Sequence, residues 1–278
     1  MKFLIAAIIL LALFAFVIRF TESKFIYFPL KYPQGYWHPE TFGLQPEDCY
    51  FTTPDGERLH GWYFAKDQAM ATLLWCHGNA GNISDRLDNL DKLHQLPVNI
   101  FIFDYRGYGK STGRPDEHGL YLDAEAAFDY LVSRPDMDAK TIVVFGRSLG
   151  GAVAVDLATR RACAAMILES TFTSAKDMAR SAFGLLPVSW IIKTKLNAID
   201  KISSVRVPLL VLHGIKDQTV PFRLGRRLFD AANEPKEFYP IPGADHNNTY
   251  AVGGQPYFDK LLTFIRDSVQ QGNPKFDD

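Results

Sequence analysis

Apolar and polar positions along this chain change period in a regular order. Residues 49–53 and 58–64 alternate apolar with polar around Thr53-Pro54-Asp55-Gly56-Glu57, the pattern of two strands joined by a tight turn. Beyond them, short apolar runs alternate with segments of helical spacing. The runs fall at 72–76, 98–103, 141–145, 164–168, 207–212 and 236–239. The helical patterns fall near 84–95, at 119–133, from Leu149 onward, and at 222–232 and 257–270. Strands that are apolar throughout, separated by helices, are covered on both sides. The expected class is therefore α/β, a mostly parallel central sheet with helices on both faces.

Three stretches depart from this alternation. Residues 3–18 form an unbroken apolar run between Lys2 and Arg19. At about 1.5 Å per residue the run is slightly short for a hydrocarbon core of about 30 Å. Lys2 and Arg19 can snorkel, and Phe20 adds length. Residues 1–20 thus read as an uncleaved membrane anchor. The alternative is a signal peptide, giving a secreted or periplasmic protein. Against it, the run ends in Val17-Ile18-Arg19-Phe20, with bulky groups where a cleavage site needs small ones. Residues 21–47 are rich in aromatics and proline, which suits an extended arm laid on the domain near a membrane. The α/β domain then covers 48–272. Within it, residues 171–204 carry Phe183, Leu185, Leu186, Pro187, Trp190, Ile191 and Ile192 between two strand signals. They read as a small helical lid above the carboxyl edge of the sheet.

Bulk properties narrow the function. The chain has 278 residues, enough for one α/β domain with a sizeable core. A net charge of −1 gives no reason to expect a nucleic-acid surface. Cys49, Cys76 and Cys163 have neither metal nor disulfide-framework spacing and read as buried free thiols. His38, His60, His94 and His213 form no metal-ligand pattern.

The chemistry is concentrated at Gly146-Arg147-Ser148-Leu149-Gly150, where a strand pattern meets a helix pattern. This is a G-x-S-x-G nucleophile elbow. A serine on so tight a turn needs small neighbours, and the helix after it aims its amino end at the hydroxyl. A serine hydroxyl is a weak nucleophile at neutral pH and needs a base, which in turn needs a partner to fix its tautomer. Asp217 follows the strand pattern at 207–212, where ligands meet such sheets. His246 lies in the loop Pro242-Gly243-Ala244-Asp245-His246-Asn247, with no apolar periodicity to explain it by packing. The order Ser148, Asp217, His246 suits a catalytic triad. Asp245 reads as a loop former.

Acyl transfer also needs two donors for an oxyanion. The backbone N–H of Leu149 supplies one. The loop His77-Gly78-Asn79-Ala80-Gly81 supplies the other, through Asn79 or its neighbour Ala80. Donation from the backbone predicts that Asn79 tolerates most side-chain changes. His77 reads as loop-shaping rather than as a base. The glycine-rich Asp104-Tyr105-Arg106-Gly107-Tyr108-Gly109-Lys110-Ser111 lacks phosphate-loop spacing and reads as a structural turn. His118 and Asp123 have an H-x4-D spacing but straddle a helix start, which suits capping or surface charge. Glu169 reads as a structural hydrogen bonder.

Taken together, HGNAGN, DYRGYGKSTG, GRSLGG, LEST, HGIKDQTVP and GADHNNT occur in order over roughly 48–268. In these pieces the chain resembles the membrane-anchored serine α/β-hydrolases of the serine-aminopeptidase-like group. The resemblance implies the α/β-hydrolase fold, a Ser148–Asp217–His246 triad, a Leu149/Asn79 oxyanion hole and no cofactor. Relatives of this kind include thioesterases that remove lipid from proteins. Arg147 departs from many of them, which have histidine there. The expected activity is hydrolysis of esters or thioesters of small or lipid-like acyl substrates. The alternatives are amide hydrolysis by the same triad and a membrane-tethered binding protein without turnover.

Overall fold

The computed structural model describes residues 22–24, 26–135, 137–184 and 192–272. The predicted anchor over 3–18 and residues 185–191 of the predicted lid lie outside them. Among the described residues no helix is long and apolar enough to cross a membrane.

Ten strands are described: β1 Phe28–Pro29, β2 Glu47–Thr52, β3 Arg58–Phe64, β4 Ala71–Cys76, β5 Ala80–Gly81, β6 Val98–Asp104, β7 Ile142–Arg147, β8 Ala165–Glu169, β9 Leu209–Gly214 and β10 Lys236–Ile241. The main sheet has the order β10-β9-β8-β7-β4-β6-β3-β2. The β2–β3 and β3–β6 pairs are antiparallel and the rest are parallel. This is the α/β-hydrolase fold expected from the sequence. The helices of the domain among the described residues include α1 Leu87–Leu93, α2 Glu117–Ser133, α3 Leu149–Arg160, α4 Ala175–Phe183, α5 Ala198–Lys201, α6 Phe222–Asp230 and α7 Thr249–Gly272.

Alternate residues of each buried strand feed two cores, because successive side chains leave a strand on opposite sides. Leu74 and Cys76 of β4 join the core beneath α2, α3 and α6. Leu73 and Trp75 join the core beneath α1 and α7, where Trp75 stacks on Phe145 at 5.4 Å. The inner strands β4, β7, β8 and β9 are buried from end to end, which is why they are almost wholly apolar.

Two predicted helices start elsewhere than their periodicity suggests. The pattern near 84–95 opens with a 3₁₀ turn, Ile83–Arg86, before α1. The Asn82 side chain accepts the Ser84 N–H while the Asp85 carboxylate accepts the Asn82 N–H, so a capping box sets the start. The last helix begins at Thr249 rather than 257, but is broken at Gly254, whose φ is +52°. Its buried apolar side chains, Tyr257, Leu261, Phe264 and Ile265, lie beyond the break.

The sheet also fixes where chemistry can occur. From β4 the chain moves to β6 on one side and later returns to β7 on the other. Helices therefore diverge above the carboxyl ends of β4 and β7, leaving a crevice there. The loop after β4 and the turn after β7 both open into it.

Candidate active site

Ser148 sits between β7 and α3 at φ +53° and ψ −117°. Left-handed backbone of this kind in a residue with a Cβ costs about 1–3 kcal/mol and persists only where the surroundings enforce it. Here they do. The Ser148 N–H donates to the Glu169 carbonyl at 2.9 Å, and its own carbonyl accepts from Gly151 N–H and Thr171 Oγ1. The elbow glycines answer a steric demand: a Cβ on Gly150 would run into the Cys76 carbonyl, and one on Gly146 into the Gly150 carbonyl. Leu149 opens α3, so its N–H belongs to the first helical turn, which lacks intrahelical acceptors.

His246 Nε2 lies 3.1 Å from Ser148 Oγ, and His246 Nδ1 lies 2.8 Å from Asp217 Oδ2. Asp217 Oδ1 accepts the N–H groups of Thr219 and Val220. Burial alone would raise the Asp217 pKa. Hydrogen bonds from His213, His246 and the Val220 N–H outweigh it and hold the carboxyl well below the usual range. An ionised Asp217 requires the proton of neutral His246 on Nδ1, which leaves the Nε2 lone pair facing the serine. Asp245 accepts the N–H groups of His246 and Gln218, shaping the loop.

Around these three side chains, His213 and Arg147 take parts the sequence did not reveal, whereas Glu169 is the structural hydrogen bonder expected of it. His213 is fully buried; its Nε2 donates to the Val220 carbonyl at 2.9 Å and stands 3.4 Å from Asp217 Oδ2. Arg147 is buried beside Glu169, with Nε 3.1 Å from Oε1. Its Nη2 donates to the His246 carbonyl at 2.7 Å and to Asn247 Oδ1 at 3.1 Å. Glu169 also accepts from Thr249 Oγ1 and from the Tyr257 hydroxyl. The position of Arg147 beside Ser148 was the one available signal, but a side chain's reach is not written in a motif.

On the other wall, a Cβ on Gly78 would come 3.5 Å from the Ser148 Cβ, so the loop after β4 lies against Ser148. His77 is fully buried, donating from Nδ1 to the Gly78 carbonyl at 2.7 Å. Burial, assisted by the Arg86 cation, pushes its pKa down to about 3, so the ring shapes the loop as a neutral group. Tyr105 donates to the His77 carbonyl.

The Asn79 side chain is not free, contrary to the expectation of tolerance. Its Oδ1 accepts from Phe28 N–H and from the Tyr108 hydroxyl, and its Nδ2 donates to the Ile26 carbonyl. Ala80 enters the parallel pairing of β5 with β1, opposite Phe28. The chain from residue 26 to 34 thus forms a strap across the loop. Asn82 Nδ2 holds the Leu30 and Gln34 carbonyls, and Leu30 and Tyr32 pair with Gly109. Further back, the buried Glu22 accepts from Lys193 N–H, Thr194 N–H and Thr194 Oγ1.

The glycine-rich stretch after β6 is a structural turn that supports this wall. His118 and Asp123 do not pair. His118 is exposed, and Asp116 caps α2 by accepting the Gly119 N–H. Asp123 is neither a cap nor a surface charge: it is fully buried and accepts both the backbone N–H and the guanidinium of Arg106. In the predicted lid, α4 buries none of its residues and Phe183 is exposed.

Comparison with known proteins agrees with this architecture. A family model described as serine aminopeptidase, S33 matches residues 67–197. An uncharacterized protein of Mycobacterium tuberculosis is 38% identical over 255 residues, covering 90% of this chain and 89% of that protein. An α/β-hydrolase domain-containing protein of Arabidopsis thaliana, WAV2, is 34% identical, with coverage of 90% and 89%. In three dimensions the chain resembles an esterase of Pyrococcus furiosus with a TM-score of 0.72 at 21% identity, over 87% of this chain and 98% of the other. Sequence relatives of this extent, together with the strand order and the turn that carries Ser148, establish that the chain belongs to the α/β-hydrolase family.

Proposed function

We propose that this hydrolase cleaves carboxylic ester or thioester bonds through an acyl-serine intermediate, with Ser148, His246 and Asp217 as its triad. The observation that carries the reading is the continuous chain of contacts from Ser148 Oγ to His246 at 3.1 Å and on to Asp217 at 2.8 Å. His246 Nε2 removes the hydroxyl proton as Ser148 Oγ attacks the acyl carbon. The negative charge then moves to the carbonyl oxygen, where the N–H groups of Leu149 and Asn79 receive it. The imidazolium, stabilised by ionised Asp217, returns its proton to the leaving alcohol or thiol. Water, deprotonated by the same histidine, releases the acid and restores the serine.

The acyl group we favour is hydrophobic and is presented at a membrane to which residues 3–18 attach the enzyme. Support comes from the strap that follows this run: Phe28, Leu30, Tyr32 and Tyr36 are exposed along it, with Lys24 and Lys31 beside them. Aromatic side chains and lysines of this kind suit a lipid–water boundary.

A fluorophosphonate probe tests the triad: Ser148 acquires the label in the wild type, and Ser148→Ala does not. A panel of acetyl to palmitoyl esters and thioesters, run beside aminoacyl amides, tests the substrate. Long acyl chains are expected to react faster than acetate, and faster amide cleavage would overturn the ester reading. Flotation of the full chain with lipid vesicles, and its loss when residues 3–18 are deleted, tests attachment.

A further inference from the structure

We infer that Arg147 is a positioning residue that sets the distance between nucleophile and base. The inference rests on the triad reading above and extends it to a group outside the triad. Asp217 fixes the orientation of the His246 ring but does not fix where the loop carrying it stands relative to the elbow. That loop follows β10 at one edge of the sheet, whereas Ser148 follows β7, three strands away in the order β10-β9-β8-β7. A direct tie between the two comes from Arg147, the residue just before the nucleophile. Its guanidinium donates to the backbone carbonyl of His246 itself and to the side chain of Asn247.

The tie is anchored at its other end. Nε of Arg147 meets Glu169, which is fully buried and also receives Thr249 Oγ1 and the Tyr257 hydroxyl. The backbone of the same Glu169 accepts the N–H of Ser148. One residue therefore holds the nucleophile through its carbonyl and, through its carboxylate and Arg147, the carbonyl of the base. Thr249 and Tyr257 bring the start of α7, just after the histidine loop, to the same carboxylate. The planar fork of arginine suits this geometry, since one group must address a carboxylate on one side and two oxygens on the other. The guanidinium is buried, so its bonds to the two loops are made largely out of competition with water.

The test uses the full chain and two readouts, fluorophosphonate labelling of Ser148 and hydrolysis of a short p-nitrophenyl ester. In Arg147→Gln the labelling rate and kcat are expected to fall about 10- to 100-fold, the range for a misplaced catalytic group, with KM within about twofold. Arg147→Lys keeps the charge without the fork and is expected to recover only part of the rate. In Arg147→Ala, added guanidinium ion is expected to raise kcat where ammonium does not. If the arginine variants fold poorly, Asn247→Ala removes a single outer bond of the network. It is expected to lower kcat in the same direction by a few-fold, without changing KM.

Labelling of folded Arg147→Gln at the wild-type rate overturns the inference and leaves the triad standing. So does a loss that follows only the fraction of molecules folded. Failure of Ser148 to label in the wild type removes the triad reading and this inference with it.

Discussion

The two walls of the candidate site are held in place by different means. The wall that carries His246 is wired from inside: Arg147, Glu169, Thr249 and Tyr257 form a buried polar network at the ends of β7 and β8 and the start of α7. The wall that carries Asn79 is held in part from outside, by a strap from the amino-terminal end, which joins the buried hydroxyls of Tyr105 and Tyr108. A core network breaks only when the fold is disturbed, whereas a strap can shift while the fold stays intact. Proton transfer should therefore be insensitive to events at the amino terminus, and charge stabilisation sensitive to them.

The largest effect expected is common to both walls. Ser148→Ala and His246→Ala should each lower kcat by about 10⁶-fold, and Asp217→Asn by about 10⁴-fold, in an ester hydrolysis assay. Asn79→Ala comes next and separates the walls. It releases three bonds to the strap and its neighbours, so kcat should fall by up to about 10²-fold, the loss of one oxyanion donor. Its melting temperature should fall too. Combined with Arg147→Gln, its effect on log kcat should add, because the two share no partner. Strong non-additivity would mean that the walls are one unit.

A smaller effect concerns pH. His77 has a folded pKa of about 3, below its ordinary value of 6.5. Between these values the unfolded chain binds a proton that the folded chain excludes, so stability falls as pH drops through this window. The slope from this group is up to about 1.4 kcal/mol per pH unit. Asp217, with its lowered pKa, contributes stability that is present above the ordinary carboxylate range and lost as pH falls through it and below. Urea unfolding at pH 6.5 and 5 should therefore show a flatter dependence in His77→Gln than in the wild type. The smallest effect is expected from Glu22→Ala, which frees the backbone of Lys193 and Thr194. Tryptic cleavage there should speed up about 5- to 30-fold, with kcat on a short ester changed less than twofold.

The difference between the walls also explains what the sequence could tell. Strands such as Ala71–Cys76 and Ile142–Arg147 were legible because a two-sided core makes them almost wholly apolar. The positions of Ser148, Asp217 and His246 were legible because a tight turn and two loop groups have no packing reason to be there. The reach of Arg147 and the proximity of His213 to Asp217 were not, since both depend on which strands become neighbours. Asp123 misled because its spacing from His118 describes a helix surface, whereas Arg106, seventeen residues earlier, draws it into the interior. The hold of Asn79 on Ile26 and Phe28 was hidden for a similar reason. A backbone role leaves the side chain idle on paper, and its partners lie some fifty residues away.

The pairing of Phe28–Pro29 with Ala80–Gly81 bears on how the protein should be handled at the bench. A recombinant fragment trimmed to begin at residue 48 would keep every residue of the eight-stranded sheet except Glu47. It would also strip a backbone partner from Gly81 and take from the Asn79 amide its bonds to Ile26 and Phe28, leaving only that from Tyr108. Such a fragment should purify as a folded but sluggish catalyst, while one starting at residue 21 keeps the brace. Assays meant to find the natural substrate are best run on the longer form.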